Sequence, residues 1–223
     1  SKGGVQLTPF EINVADYEEN RHFFLSRYFR NHYDEWMQKL PNLVTGVTIN
    51  RVEIWVTNKT GTTANTRNIV ALTDLGETSK ISNPMWTATG QVPSNSANTE
   101  YQAMTTQYVA ARDIDQAAAT LEGAGLVGGA DFEKLESARL LSSSEYSVNT
   151  ALGYVSLKTG IQTDQVLAVA YEYTSGGVTY QVGEFASDIT DTKQALFVKA
   201  LKNTSCNPQQ GNWDLMMKNV YYL

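Results

Sequence analysis

Few side chains in this chain are spaced for chemistry. Gly123, Gly125 and Gly128 satisfy the letter of a GxGxxG fingerprint, whose glycines let a backbone turn approach a pyrophosphate at a helix start. Such a site needs a buried strand before its first glycine. Here an Ala-rich helical run precedes it, so the glycines read as a break between two helices. His22 and His32 are the only histidines. On one straight helix they would lie about 15 Å apart along the axis and roughly 80° apart around it, too far to share a metal. Glu18 and His22 have the i, i+4 spacing that brings two ligands together, but no third ligand accompanies them, and a solvated pair is the better reading. Asp74 and Glu77 flank Gly76 at a strand end. A calcium-like oxygen cluster or a hydrolytic carboxylate pair needs partners that are not evident there, so an ordinary turn role is expected. Gly-x-Ser-x-Gly is absent, and Ser142 to Glu145 fits a capping box better than a nucleophile. No catalytic, cofactor-binding or metal-ligating residue is assigned.

Aromatic residues offer the remaining chemistry. Twelve Tyr, seven Phe and four Trp could furnish a stacking platform for carbohydrate, and Trp86 and Trp213 are the candidate ligand or partner contacts. The sequons at Asn58 and Asn203 are too short to carry weight. A single cysteine, Cys206, excludes an internal disulfide and a thiolate-rich zinc site, and reads as an inert thiol. The net charge of −6, with 17 Lys+Arg that form no tract, argues against nucleic acid as a partner. No apolar run approaches the roughly 20 residues of a membrane helix, so no direct membrane span is expected. The first residues lack a signal-peptide core, and the last ones stop inside an apolar run. A piece of a longer exported chain is therefore favoured over a cytosolic protein.

The elements that must position these residues fall in three zones. At 223 residues with 42% hydrophobic side chains, the chain can fill a real core. A strand is read from Val5 to Val14. Phe29, Tyr33, Trp36, Met37 and Leu40 then recur at helical spacing, predicting an aromatic helix over 21–40 that Pro41 stops. After Gly46 a strand puts Val52, Ile54 and Val56 on one face and Glu53 and Trp55 on the other, and a second strand follows over 68–75. The middle zone opens as a polar connection and then turns helical. Asp113 caps one helix and Asp131 a second, over 132–141, giving a helical insertion at about 100–145. The third zone returns to strands. Its clearest feature is a hairpin in which Leu167, Val169, Tyr171 and Tyr173 alternate on one arm, Val178, Tyr180 and Val182 on the other, and Gly176 and Gly177 make the turn. Residues 195–201 form another strand or a helix.

The expected fold is α+β: one domain over 1–223 with a mainly antiparallel, sandwich-like β-sheet from 5–77 and 150–223. The N-terminal aromatic helix and the helical insertion complete it. Trp36, Val52, Ile54, Val56, Leu167, Val169 and Val182 are the expected core.

Several ordered segments carry a resemblance. Asn20-Arg-His-Phe-Phe-Leu-Ser-Arg-Tyr-Phe-Arg30, Arg51-Val-Glu-Ile-Trp-Val-Thr-Asn58, Asn65-Thr-Arg-Asn-Ile-Val70 and Glu136-Ser-Ala-Arg-Leu-Leu141 come first. Leu152-Gly-Tyr-Val-Ser-Leu157, Gln165-Val-Leu-Ala-Val-Ala-Tyr171, Tyr180-Gln-Val-Gly-Glu-Phe185 and Trp213-Asp-Leu-Met-Met-Lys-Asn-Val-Tyr221 follow in order. Together they resemble the SprA/Sov family, the large outer-membrane translocon subunits of type IX secretion and gliding motility in Bacteroidetes. The likeness is colinear over nearly the whole chain and weakest over 78–112. It implies a soluble, non-enzymatic structural or interaction domain of a larger cell-envelope protein, on the periplasmic or the cell-surface side of the outer membrane. The implied partners are the β-barrel portion of the parent protein, accessory translocon proteins or secreted cargo, and no cofactor is implied. The alternative is a carbohydrate- or peptidoglycan-binding β-sandwich module.

Overall fold

The computed structural model describes residues 17–205, 207–218, 220 and 221. The strand read over Val5 to Val14 and the thiol of Cys206 lie outside them. Among the described residues the elements are β1 (His22–Phe24), α1 (Arg27–Met37), β2 (Val47–Val56), β3 (Thr66–Leu72), α2 (Glu100–Thr106), α3 (Ile114–Gly123), β4 (Phe132–Leu140), β5 (Tyr146–Asn149), β6 (Tyr154–Leu157), β7 (Leu167–Ser175), β8 (Val178–Val182) and β9 (Leu196–Lys202). The fold is α+β, as expected.

The sheet is not a sandwich. It runs β2–β4–β3–β9–β7, and β7 pairs back onto β2, so five strands close into a barrel. Every neighbour is antiparallel except β3 with β9. Strand β7 makes closure possible because it is paired along both edges. β2 follows it from Val47↔Ser175 to Val56↔Leu167, while β9 takes the first half of its other edge and β8 the second half. Register shifts in β2 after Ile49, in β3 after Arg67 and in β7 after Leu167 supply the bends that a tight barrel requires.

Side-chain size follows from this closure. Trp55, Ile69, Ala71, Ala138, Ala168, Ala170, Leu196, Val198 and Ala200 form one buried cluster to which all five strands contribute, and we identify it as the barrel lumen. Most of these side chains are small, as a narrow lumen demands. The alternate residues of the same strands, among them Ile54, Val70, Leu72, Val169, Tyr171 and Phe197, belong to a second and larger cluster outside the barrel. That outer layer is covered by α1, by the small antiparallel sheet β1–β6–β5 and by the insertion carrying α2 and α3. Trp55, expected opposite the core face, is therefore buried in the lumen at 1% exposure, and Val52 of the expected core is only half-buried.

Two helix assignments change. α1 begins at Arg27, because His22–Phe24 pairs with β6 as a strand and Ser26 breaks with φ −157° before the first helical turn. Phe29 and Trp36 are buried in the outer layer and Tyr33 and Met37 pack against it, whereas Leu40 lies beyond the helix end and is exposed. The second predicted helix, over 132–141, is strand β4. Between the pairs Arg67↔Ala138 and Ile69↔Leu135 the register shifts, with Ser137 at φ +48° and its N–H donated to the Asn68 Oδ1 at 2.9 Å. The bulge puts Leu135 and Ala138 against the same lumen cluster.

Candidate functional site

The sequence-predicted contact residues do not form a platform. Trp86 is 6% exposed and belongs to the outer core, which corrects the expectation of an exposed ring there. Trp213 is half-buried, with the Lys218 Nζ 4.3 Å over its ring, and it lines a space of only about 10 Å³. His22 meets Glu18 as the spacing suggested, at 2.7 Å, while its other ring nitrogen bonds the Ser156 hydroxyl at 2.8 Å. His32 bonds the Tyr28 carbonyl and stacks on Trp36. Among the described residues no group of three or more His, Cys, Asp or Glu is arranged to hold a metal. The GxGxxG run ends α3 and leads into β4 rather than into a helix. Ser142 and Glu145 close a reciprocal turn before β5, with the Ser142 N–H donated to the Glu145 carboxylate at 2.8 Å.

Asp74 and Glu77 do sit in a turn, and both are buried. The Asp74 carboxylate accepts the N–H groups of Ser82 and Asn83 at 2.9 Å each, pinning the start of the 78–99 connection. Glu77 accepts from the Lys199 ammonium at 2.9 Å and from the Arg27 N–H. Lys199 is fully buried and projects from the outer face of β9, between Phe197 and Leu201. Asn98 donates to the carbonyls of Asp74 and Glu77 and accepts the Glu100 N–H. Glu100 itself is fully buried with no partner for either carboxyl oxygen. Its pKa lies well above the usual carboxylate range, first through desolvation and then through the negative charge of Asp74, so its neutral form is favoured.

A second clasp holds the other side of the insertion. Glu184 takes both arms of the Arg112 guanidinium at 2.5 Å, the Tyr101 hydroxyl at 2.9 Å and the Phe197 N–H at 2.8 Å. The guanidinium also stacks 3.8 Å over the Phe197 ring. Burial and the Glu184 charge push the Tyr101 phenol upward, so it stays a donor. Glu77, Lys199 and Glu184 are each 2% exposed or less, whereas Arg112 is partly exposed and lines an open space of about 610 Å³ with Asp113 and Lys193.

These two clasps fix the wall of an open cleft of about 700 Å³ between β8, the 89–99 segment and α2. Thr179, Tyr180 and Gln181 come from β8, Ser94 to Ser96 from the connection, and Thr99, Tyr101, Gln102 and Thr105 from the insertion. No lining residue carries a charge at neutral pH. By contrast, a 610 Å³ groove beside α1 carries Arg30, Asp34, Asp214 and Lys218. Sequence reasoning missed the cleft. Its Ser, Thr and Asn residues read as a surface connection, and only the fold brings them beside the hairpin. Comparison with protein-family models and with curated proteins finds no match.

Proposed function

We propose that the chain is a non-enzymatic structural and interaction domain of an outer-membrane type IX secretion translocon of the SprA/Sov kind, held at the cell envelope within a larger protein. What supports this most is where the resembling segments fall. They lie on β1 and α1, on β2, β3 and β4, on β6, β7 and β8, and on the Trp213 turn, which are the barrel and its cover. The least similar stretch, 78–112, supplies one wall of the uncharged cleft. A framework with a variable rim suits a domain whose work is contact. Its partners on this reading are the barrel of the parent protein, accessory translocon proteins or passing cargo. Among the described residues no helix is long and apolar enough to cross a membrane.

The test is secretion of a type IX cargo by cells whose parent protein lacks residues 1–223, with barrel abundance in the outer membrane measured alongside. Secretion should fall while the barrel still assembles; unchanged secretion overturns the reading. A carbohydrate- or peptidoglycan-binding role is favoured by one observation, the hydroxyl- and amide-rich cleft lining. Glycan-array binding lost on substitution of cleft residues would establish it.

A further inference from the structure

The β7–β8 hairpin turns on Gly176 and Gly177, both at positive φ (+58° and +81°), which is a two-residue type I′ turn. In such a hairpin the closing pair, Ser175↔Val178, exchanges hydrogen bonds, and bonded pairs then alternate with non-bonded ones. Tyr173↔Tyr180 and Tyr171↔Val182 are the next bonded pairs. Thr179 and Gln181 consequently turn their backbone N–H and C=O groups away from β7, toward the cleft.

One rung on that edge is already made. The Gln181 carbonyl accepts the Asn95 N–H at 2.8 Å, and the Asn95 Oδ1 accepts the Gly183 N–H at 2.7 Å. Asn95 thereby ends the edge at one side. Thr179 is exposed, and among the described residues no backbone hydrogen bond joins the connection to it. Edge strands are commonly blunted by charge or proline, yet Val178, Thr179, Tyr180, Gln181 and Val182 include neither.

We propose that the cleft is a strand-addition site, in which an extended polypeptide segment with small uncharged side chains pairs with the β8 edge through the N–H and C=O of Thr179 and the N–H of Gln181, the Gln181 carbonyl being held by Asn95. This deepens the interaction-domain reading and rests on it. A polypeptide fits better than a glycan because the two rings of the cleft are already committed. Tyr180 stacks on Tyr173, with centroids 5.4 Å apart, and the Tyr101 hydroxyl is held by Glu184. Charged side chains on the guest would find no counter-charge among the lining residues, so selectivity for uncharged segments follows.

The experiment uses the isotope-labelled 223-residue chain and the peptide acetyl-Thr-Val-Thr-Val-Thr-Val-amide as the probe, followed by NMR shifts and amide hydrogen exchange. The same peptide N-methylated at alternate residues serves as control, with chitohexaose as the glycan arm. Slowed exchange at Thr179 and Gln181 with the free peptide, absent with the methylated one, is expected. Thr179→Pro removes the edge N–H, and Thr179→Lys keeps the backbone but introduces a charge. Each should weaken binding about tenfold or more while the spectrum stays folded. Equal binding of the methylated peptide, protection confined to another face, no binding, or chitohexaose acting on these residues instead overturns the proposal. If removing residues 1–223 stops secretion but Thr179→Lys in the parent protein does not, strand addition fails and the interaction-domain reading stands. If the peptide binds at β8 yet removal of the domain leaves secretion intact, the reverse holds.

Discussion

The lumen of the barrel and the seam outside it are built from alternate residues of the same strands, and they solve burial in opposite ways. On β9, Leu196, Val198 and Ala200 face inward among Ala, Val, Ile and Trp side chains, while Phe197, Lys199 and Leu201 face the seam. The lumen holds mostly small apolar groups, so its stability depends on volume. Its neighbour one residue away holds Lys199, Glu77, Asp74, Glu184 and Arg112, so its stability depends on pairing. Period-two alternation lets one strand serve a space-filling interior and a charge-matched joint at once. The joint determines where the insertion sits, and hence the shape of the cleft.

The comparison is broken most sharply by removing one partner of the buried pair. Lys199→Met leaves the Glu77 carboxylate uncompensated at 2% exposure. It should cost about 3–5 kcal/mol, lowering Tm by roughly 6–20 °C. The double variant Lys199→Met with Glu77→Gln should recover most of that loss, because the unpaired charge rather than the lost attraction is the expensive part. If thermal melts show the double variant no better than the single one, packing of the lysine stem is the true cause. Arg112→Ala comes next, at about 2–3 kcal/mol. Glu184 keeps Tyr101 and the Phe197 N–H as donors, so it is left less exposed to penalty than Glu77. Faster amide exchange in α2 than in β7 would show that the insertion loosens while the barrel holds.

Adding volume tests the lumen side. Ala170→Leu inserts a larger side chain into a cluster that already contains Trp55 and Phe185, and should cost about 1–3 kcal/mol by overpacking. The matching change at an exposed position, Thr179→Leu, should be within about 0.5 kcal/mol of neutral. Equal effects at both positions, by chemical denaturation, would mean that the lumen has slack and that its small residues are not there to fit a narrow space.

Which parts of this arrangement were legible follows from where the signals are local. The β7–β8 hairpin was plain because alternation and the Gly176–Gly177 turn lie in one short run, and the Asp113 cap of α3 was readable for the same reason: its carboxylate accepts the Asp115 N–H two residues on. β4 reads as a helix because Asp131 looks like an N-cap before a run of helix-forming residues, whereas its pairing with β3 and its bulge at Ser137 leave no local signal. Closure was invisible, since it depends on β7 meeting β2 across more than a hundred residues. Of the seam, Asp74 and Glu77 beside Gly76, and Glu184 beside Gly183, read as turn residues, but nothing local marks Lys199 or Arg112 or pairs any of them. The paired residues lie 122 and 72 residues apart along the chain, counting from Glu77 to Lys199 and from Arg112 to Glu184.

A pH-dependent effect separates the two halves of the seam. Glu184 is a buried carboxylate that accepts four hydrogen bonds, whereas the carboxyl oxygens of the buried Glu100 accept none. Desolvation and then Asp74 raise the Glu100 pKa, Lys199 opposes them, and Asp131 adds to them. A carboxyl whose folded pKa exceeds its unfolded value keeps a proton in the native state that the unfolded chain has released. Its contribution to stability is therefore fully present below the unfolded value, about 4.3, and is lost as pH rises toward the folded one. Glu100→Gln removes that loss while preserving shape. The variant should match the parent near pH 4 and have the higher Tm at pH 8. Thermal melts at the two pH values decide it. A difference that does not change between them would mean that Glu100 is ionised and paired in solution, and that the seam is charge-matched on both sides rather than on one.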